Sequence, residues 1–178
     1  DASKPYPPHL KRMRIYVDVE AQRARADMLA GHDAGKKFFR LYGQKQEFMI
    51  REGDFAECRR SYLGETMPVP SFPDDAVQDG EEVIGGERYL RFVSSPVPES
   101  RVTILVDPQS MVPTKLVEEY REVDGGGDWE PLVTFELSDL VAAPPDQSLF
   151  EVPASKEECA RHIGGFPYIH AFSHWLRF

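Results

Sequence analysis

Residues 101–120 read RVTILVDPQSMVPTKLVEEY, and residues 131–153 read PLVTFELSDLVAAPPDQSLFEVP. The first stretch is an apolar run, an Asp107-Pro108 turn and a second run that leads back. Gly125-Gly126-Gly127 marks a tip, and a third run follows it. Short runs rich in β-branched residues, separated by Pro and Gly turns, spell a β-meander. The pattern predicts strands near Val102–Val106, Thr114–Val123 and Leu132–Leu137. No catalytic motif lies within it.

Upstream of the meander the same alternation recurs. In the run Leu10 to Val19, Met13, Ile15, Val17 and Val19 share one face, with Arg12, Arg14 and Asp18 on the other. In EAQRARADMLAG, Ala24, Ala26 and Met28 face inward and Arg23, Arg25 and Asp27 outward. Its alanines also permit a helix, but no N-cap precedes it and Gly31 ends it soon, so a strand is favoured. Lys37 to Tyr42 and Gln46 to Arg51 form the arms of a hairpin through Gly43, Phe39 and Leu41 facing Phe48 and Ile50. Asp54 to Leu63, which holds Cys58, is ambiguous. MPVPSFPDDAVQDG, from Met67 to Gly80, reads as a long irregular crossing and hence a functional suspect.

Glu81 to Val93 reads as a strand pair broken at Gly85-Gly86, a favoured hairpin dipeptide. Ser94 to Ser100 reads as a proline loop, and residues 138–158 as a loose wrap whose Phe150 plugs the core. The expected fold is therefore mainly β: a curved antiparallel sheet or half-barrel of about nine strands with one or two short helices. A mobile segment 1–9 precedes a single domain at 10–167, and the tail 168–178 forms a short helix from Tyr168.

Composition fits this class. The 178 residues suit one domain with a sizeable core. No apolar run approaches the ~20 residues of a membrane helix. Net charge is -9, unevenly spread. Residues 1–60 carry 13 Lys/Arg against nine Asp/Glu, and residues 61–178 carry eight against 21. So acidic a surface argues against nucleic acid, whose affinity comes mostly from phosphate neutralisation. The basic third suits an acidic partner or the opposite poles of the fold itself, but a solvated charged surface is the favoured reading.

Cys58 and Cys159 lie 101 residues apart with no C-x-x-C frame, which disfavours a zinc or thioredoxin-like site. A disulfide between them is favoured over two buried thiols, because a paired count suits an oxidising compartment. An extracytoplasmic location with a processed N-terminus is expected, since the chain opens on the loop-like DASKPYPPH without a Met.

Reactive constellations are scarce. His170 and His174 are four apart and His162 is nearby, but HAFSH lacks the glutamate of H-E-x-x-H, and a packed amphipathic tail is the favoured reading. Ser94, Ser95 and Ser110 lack a G-x-S-x-G frame. Basic neighbours in AECRR would favour the Cys58 thiolate, but a disulfide removes it as a nucleophile. GGGDW has no P-loop lysine. No catalytic residue, metal or cofactor is therefore assigned.

Two sets of residues carry a resemblance. ILVDPQSMVPTKLVEEY, LVTFELSDL and DQSLFEVP resemble the C-terminal half of LolA-like domains, the bacterial lipoprotein carriers with ependymin-related eukaryotic cousins. The order RARADMLAG, Cys58, PVPSFPDDA, DGEEVIGGERYLRF, the meander, FEVP, Cys159 and GGFP resembles the non-catalytic N-terminal domain of protist papain-like cysteine peptidases related to counting-factor-associated protein. The similarity covers roughly Leu10 to Pro167. It implies a half-barrel around an apolar cavity. The peptidase signature is absent, so no protease activity carries over, and Glu87-Arg88-Tyr89 stands where related domains often place a cysteine before a tryptophan.

The expected function is a non-catalytic domain that holds a lipid or other apolar ligand in a concave sheet. Candidate lining residues are Ile15, Val17, Phe39, Phe48, Ile50, Phe135 and Leu137. Two alternatives stand beside it. One is a structural or accessory subunit of a larger assembly, its cavity filled by its own side chains and its partner a protein. The other is an accessory domain of a cysteine peptidase precursor; the end at Phe178 fits a fragment and equally a natural terminus.

Overall fold

RARADMLA is a strand because alternate residues are Ala or Met on one side and Arg, Asp and finally Leu29 on the other, a period that a helix would scatter around its axis. The computed structural model describes residues 11–67, 72–122, 127–155 and 157–166. They are mainly β, with eleven strands in two sheets rather than about nine in one. β1 (Arg12–Asp18), β2 (Arg23–Ala30), β3 (Lys36–Leu41), β4 (Gln46–Arg51) and β5 (Glu57–Tyr62) form successive antiparallel neighbours in the first sheet. β6 (Val77–Ile84), β7 (Glu87–Val97), β8 (Ser100–Val106), β9 (Pro113–Tyr120) and β10 (Glu130–Glu136) form the second, which contains the meander. The two-residue β11 (Ala160–Arg161) adds to the first sheet, parallel to β5. Neither sheet closes on itself.

Contacts group the chain into two units, one of residues 1–71 with 143–178 and one of residues 72–142. Helical structure among the described residues is limited to single 3-10 turns at Tyr42–Gln44 and Gln147–Phe150. The tail helix expected from Tyr168 and most of the Gly125-Gly126-Gly127 tip lie outside the described residues.

Register fixes what each face of the first sheet carries. One cross-strand row is Ile15, Ala26, Phe38, Met49, Arg59; beside it runs Val17, Ala24, Arg40, Glu47, Ser61. The opposite face carries Tyr16, Arg25, Phe39, Phe48, Arg60, and beside them Arg14, Asp27, Lys37, Ile50, Cys58. Both faces of β3 and β4 are buried. Phe38, Tyr42, Met49, Leu63 and Phe166 pack on the first face, and Phe39, Leu41, Phe48 and Ile50 on the second.

The second face is closed by residues that return from far along the chain. Val152, Ala154 and Cys159 pack on it. Upstream of them, Asp146 caps the turn at Gln147–Phe150 by accepting the Ser148 N–H at 2.9 Å. The buried Phe150 lies under the Arg23 guanidinium at 4.7 Å, and Arg25 donates to the Leu149 carbonyl at 2.7 Å. Downstream, the Cys58–Cys159 disulfide joins this strap to β5, with Cα atoms 4.6 Å apart. The strap then rounds the β5 edge as β11 and reaches the first face. There Ser61 Oγ donates to the Gly164 carbonyl at 2.7 Å, and the Phe166 N–H donates to Glu47 Oε1 at 3.0 Å. One segment thus grips both faces of the sheet.

In the second unit, Phe92, Ile104, Leu116 and Phe135 form an apolar row across β7 to β10. On its other face Arg101 holds Glu119 through two bonds of 2.6 and 2.9 Å, and Thr103 adds a third. The expected Asp-Pro turn is present: Asp107 accepts the N–H groups of Gln109 and Ser110, both at 2.8 Å. Gly85 and Gly86 both take positive φ at the β6–β7 turn, as a two-residue hairpin of this kind requires. The loop expected over Ser94 to Ser100 is instead strand on both sides of a tight turn. The register shift between Ser94 and Val97 accommodates Pro96, which has no N–H for the ladder. Strand β6 likewise begins within the expected Met67–Gly80 crossing, at Val77.

The strap makes two energetic predictions. Replacing both Cys58 and Cys159 by Ser removes a cross-link spanning 101 residues and is expected to lower unfolding free energy by about 4 kcal/mol in urea titrations. Phe39→Ala empties a site that is 1% exposed and is expected to cost about 3–5 kcal/mol by the same measurement. An unchanged midpoint in either variant contradicts the packing described.

Candidate functional site

The first face of the six-stranded sheet has an unusual composition. Four of the chain's five methionines, Met13, Met28, Met49 and Met67, gather in one cluster with Ala24, Ala26, Phe38 and Phe166. Ala24, Ala26, Met28, Phe38 and Met49 are all buried, so small alanines and flexible thioethers pack together at the middle of this face. Met adapts to irregular apolar partners because it is unbranched, polarisable and has three rotatable bonds. Met13, Ile15 and Val17 on β1 are only half-buried, so the face is least covered along that strand.

A cleft of about 420 Å³ opens beside Met49 and Phe166. Its other walls are Lys36, Glu57, Arg59, His162 and Gly165. β3 positions Lys36, β4 Met49, and β5 Glu57 and Arg59, all on the methionine-bearing face by register. The strap supplies the last wall. His162 stacks on Phe166 with ring centroids 5.0 Å apart and planes 11° from parallel, and Phe166 meets Phe38 at 6.0 Å. Lys36 pairs with the buried Asp33 at 2.8 Å, and Arg59 pairs with Glu57.

A polar group is buried on the same face. Glu47, 1% exposed, contacts the Arg40 guanidinium at 3.4 Å, and Arg40 reaches Glu65 at 3.1 Å and the Tyr42 hydroxyl at 3.4 Å. Arg40 Nε and Glu47 Oε2 have no hydrogen-bond partner among the described residues. Burial raises the Glu47 pKa; the Arg40 charge and the Phe166 N–H oppose that rise without overcoming it. Burial likewise raises the Tyr42 hydroxyl. Asp18 behaves oppositely. The Ala21 N–H and the Arg23 guanidinium hold its carboxyl below the usual range.

The residues expected to line one concavity fall into three groups. Ile15 and Val17 lie on the methionine face. Phe39, Phe48 and Ile50 lie on the opposite face, beneath Val152, Ala154 and Cys159. Phe135 sits in the second sheet across from Leu116. Leu137 follows it, donating its N–H to the Thr114 carbonyl at 2.8 Å. The expected Cys58–Cys159 bond is formed. His162 serves the cleft wall, whereas His170 and His174 lie outside the described residues. No group of three metal-ligating side chains occurs among the described residues, and none of their helices is long and apolar enough to cross a membrane. Sequence reasoning missed Lys36, Arg59 and the cleft itself. Lys36 and Arg59 each follow the ordinary alternation of a strand, so nothing local marks them.

No protein-family model matches the chain, and no curated protein matches it. Among solved structures, an uncharacterized conserved protein from Thermus thermophilus is similar over 85% of this chain and 82% of its own, with a TM-score of 0.49 and 11% identity.

Glu47 gives a pH prediction. Its folded pKa lies above the unfolded value near 4.5, so the folded state holds this proton more tightly. Its contribution to stability is complete below pH 4.5 and is lost as pH rises through the folded pKa. Glu47→Gln lacks that component. In urea titrations across this range, the stability of the parent relative to the variant is expected to fall with rising pH and then level off; a difference that stays flat contradicts the assignment.

Proposed function

We propose that this chain is a LolA-like, non-catalytic binding domain that takes an apolar ligand on the methionine-bearing face of its six-stranded sheet. The supporting observation is the gathering of Met13, Met28, Met49 and Met67 with Ala24 and Ala26 on one face, half-buried along Met13, Ile15 and Val17, with Met49 also lining a cleft. The driving force is removal of ligand and side-chain apolar surface from water, roughly 25 cal/mol per Å² before association costs are subtracted. The cleft is within the range of ~300–1,000 Å³ usual for small-molecule sites. In this reading Phe39, Phe48 and Ile50 are core, and the Cys58–Cys159 bond suits a secreted or lumenal setting.

A second reading, an accessory subunit that contacts a protein partner, is favoured by one observation. The Phe39 face is filled by the chain's own Val152, Ala154 and Cys159. Under that reading the sheet is a scaffold.

Titration with diphenylhexatriene, an uncharged fluorescent apolar probe, separates them. The binding reading expects saturable fluorescence that weakens about tenfold in an Ile15→Ser, Val17→Ser double variant and is unchanged in Arg14→Ser, on the opposite face. No saturable binding, or equal binding by all three proteins, favours the scaffold.

A further inference from the structure

Phe166 is the one buried residue of the described segment 160–166; Ala160, Arg161, Ile163, Gly164 and Gly165 are exposed and His162 is half-buried. It follows two residues without side chains. Gly164 takes a φ of +91°, and Gly165 passes so close to Glu47 that a Cβ there would stand 3.3 Å from Oε1. The pair gives the chain a low-barrier pivot directly before the ring. Phe166 is held by its N–H to Glu47 Oε1, by the stack on His162 and by tilted packing on Phe38. We infer that Phe166 is a displaceable plug, and that the apolar group of a ligand binds by taking its place against Phe38 and Met49 as the chain swings out about Gly164-Gly165. This rests on the binding reading above and adds how a ligand enters a face whose floor is packed.

The other buried aromatic of the strap is held differently. Phe150 lies under the Arg23 guanidinium, in a turn capped by Asp146 and tied by Arg25 to the Leu149 carbonyl. Val152, Ala154 and Cys159 pack after it, and the disulfide fixes this part of the strap to β5. Phe166 lies beyond that anchor, so moving it leaves the Phe39 face covered. Its polar tether is also under-satisfied. Glu47 Oε2 and Arg40 Nε stand 3.4 Å apart, both buried and without a hydrogen-bond partner among the described residues. A buried polar atom with no partner costs free energy that hydration returns. Water reaching this pair therefore offsets part of the cost of withdrawing the ring. On its open side Phe166 is already a wall of the cleft with Met49. Its withdrawal joins the cleft to the row of Ala26, Phe38 and Met49.

Amide hydrogen exchange of the full, disulfide-bonded chain, followed by NMR with and without octanol as an uncharged probe, tests the plug. Without octanol, the Phe166 amide is expected to exchange at least about tenfold faster than those of Phe39 and Phe48, although it is bonded to a buried carboxyl group. Saturating octanol is expected to speed it at least threefold further and to leave Phe39 and Phe48 unchanged. Phe166→Ala is expected to bind octanol at least threefold more tightly than the parent, because no ring has to leave. Phe150→Ala, which loosens the strap on the other face, is expected to bind as the parent does. The inference is overturned by Phe166 protection equal to that of Phe39, by protection that octanol leaves unchanged or increases, by a Phe166→Ala variant that binds no more tightly than the parent, or by equal tightening in both variants. If octanol binds the parent under any of those results, the apolar-ligand reading survives; if it binds neither the parent nor Phe166→Ala, both fall. Should a variant not fold, the exchange criteria stand alone.

Discussion

The architecture of the first unit depends on a strap that folds back from more than a hundred residues downstream. Residues 147–166 contact β2 through Arg23 and Arg25, fill the Phe39 face, join β5 through the disulfide and end against Glu47 and Phe38. A six-stranded sheet with apolar residues on both faces cannot leave both in water, because each fully buried large side chain is worth roughly 1.5–3 kcal/mol. The strap resolves this for one face outright. Its covalent anchor also restricts the unfolded chain, so closure costs less conformational entropy on folding. Both faces are packed, asymmetrically: the Phe39 face under the strap, and the other with methionine, alanine and phenylalanine, where Met13, Ile15 and Val17 on β1 stay half-buried.

The asymmetry sorts the chemistry. Arg25 on the sealed side is committed to Asp27 and to the Leu149 carbonyl. On the methionine side, ionisable residues serve two purposes. Glu47 and Arg40 are buried, and Glu47 receives the end of the strap through the Phe166 N–H. Lys36, on the strand that carries Arg40, and Glu57 and Arg59, on the neighbouring β5, line the cleft. A carboxylate held in so dry a place is costly unless it is paired; the Phe166 N–H and the Arg40 guanidinium 3.4 Å away offset part of that cost, but Oε2 makes no hydrogen bond among the described residues and burial still raises the Glu47 pKa. The group that fastens the strap thus borders the proposed ligand surface.

Much of this was legible in the sequence. The alternation in RMRIYVD and RARADMLA set strand and face correctly for Ile15, Val17, Ala24, Ala26 and Met28, because polar and apolar residues separate cleanly there. The Asp107 turn, the Gly85-Gly86 hairpin and the burial of Phe150 were equally visible. KKFFRL and QEFMIR were different. With Phe38 beside Phe39, and Phe48, Met49 and Ile50 in succession, both faces are apolar and a period of two no longer says which faces what. Phe39, Phe48 and Ile50 therefore read as partners of Ile15 and Val17 when they point the other way. The cover over them comes from Val152 and Ala154, a contact with no local signature. The expected wrap over 138–158 and the pairing of Cys58 with Cys159 hinted at it without saying which face it covers.

The central claim is that the methionine face, and not the Phe39 face, receives the ligand. Methionine methyl NMR tests it most directly, since four of the five methyls lie on that face and Met111, exposed in the second unit, is an internal control. On adding an uncharged apolar ligand, the account predicts saturable shifts for Met13, Met28, Met49 and Met67 with Met111 unmoved. Shifts confined to the backbone amides of Phe39, Phe48 and Val152, or no methyl response at saturating ligand, would contradict it.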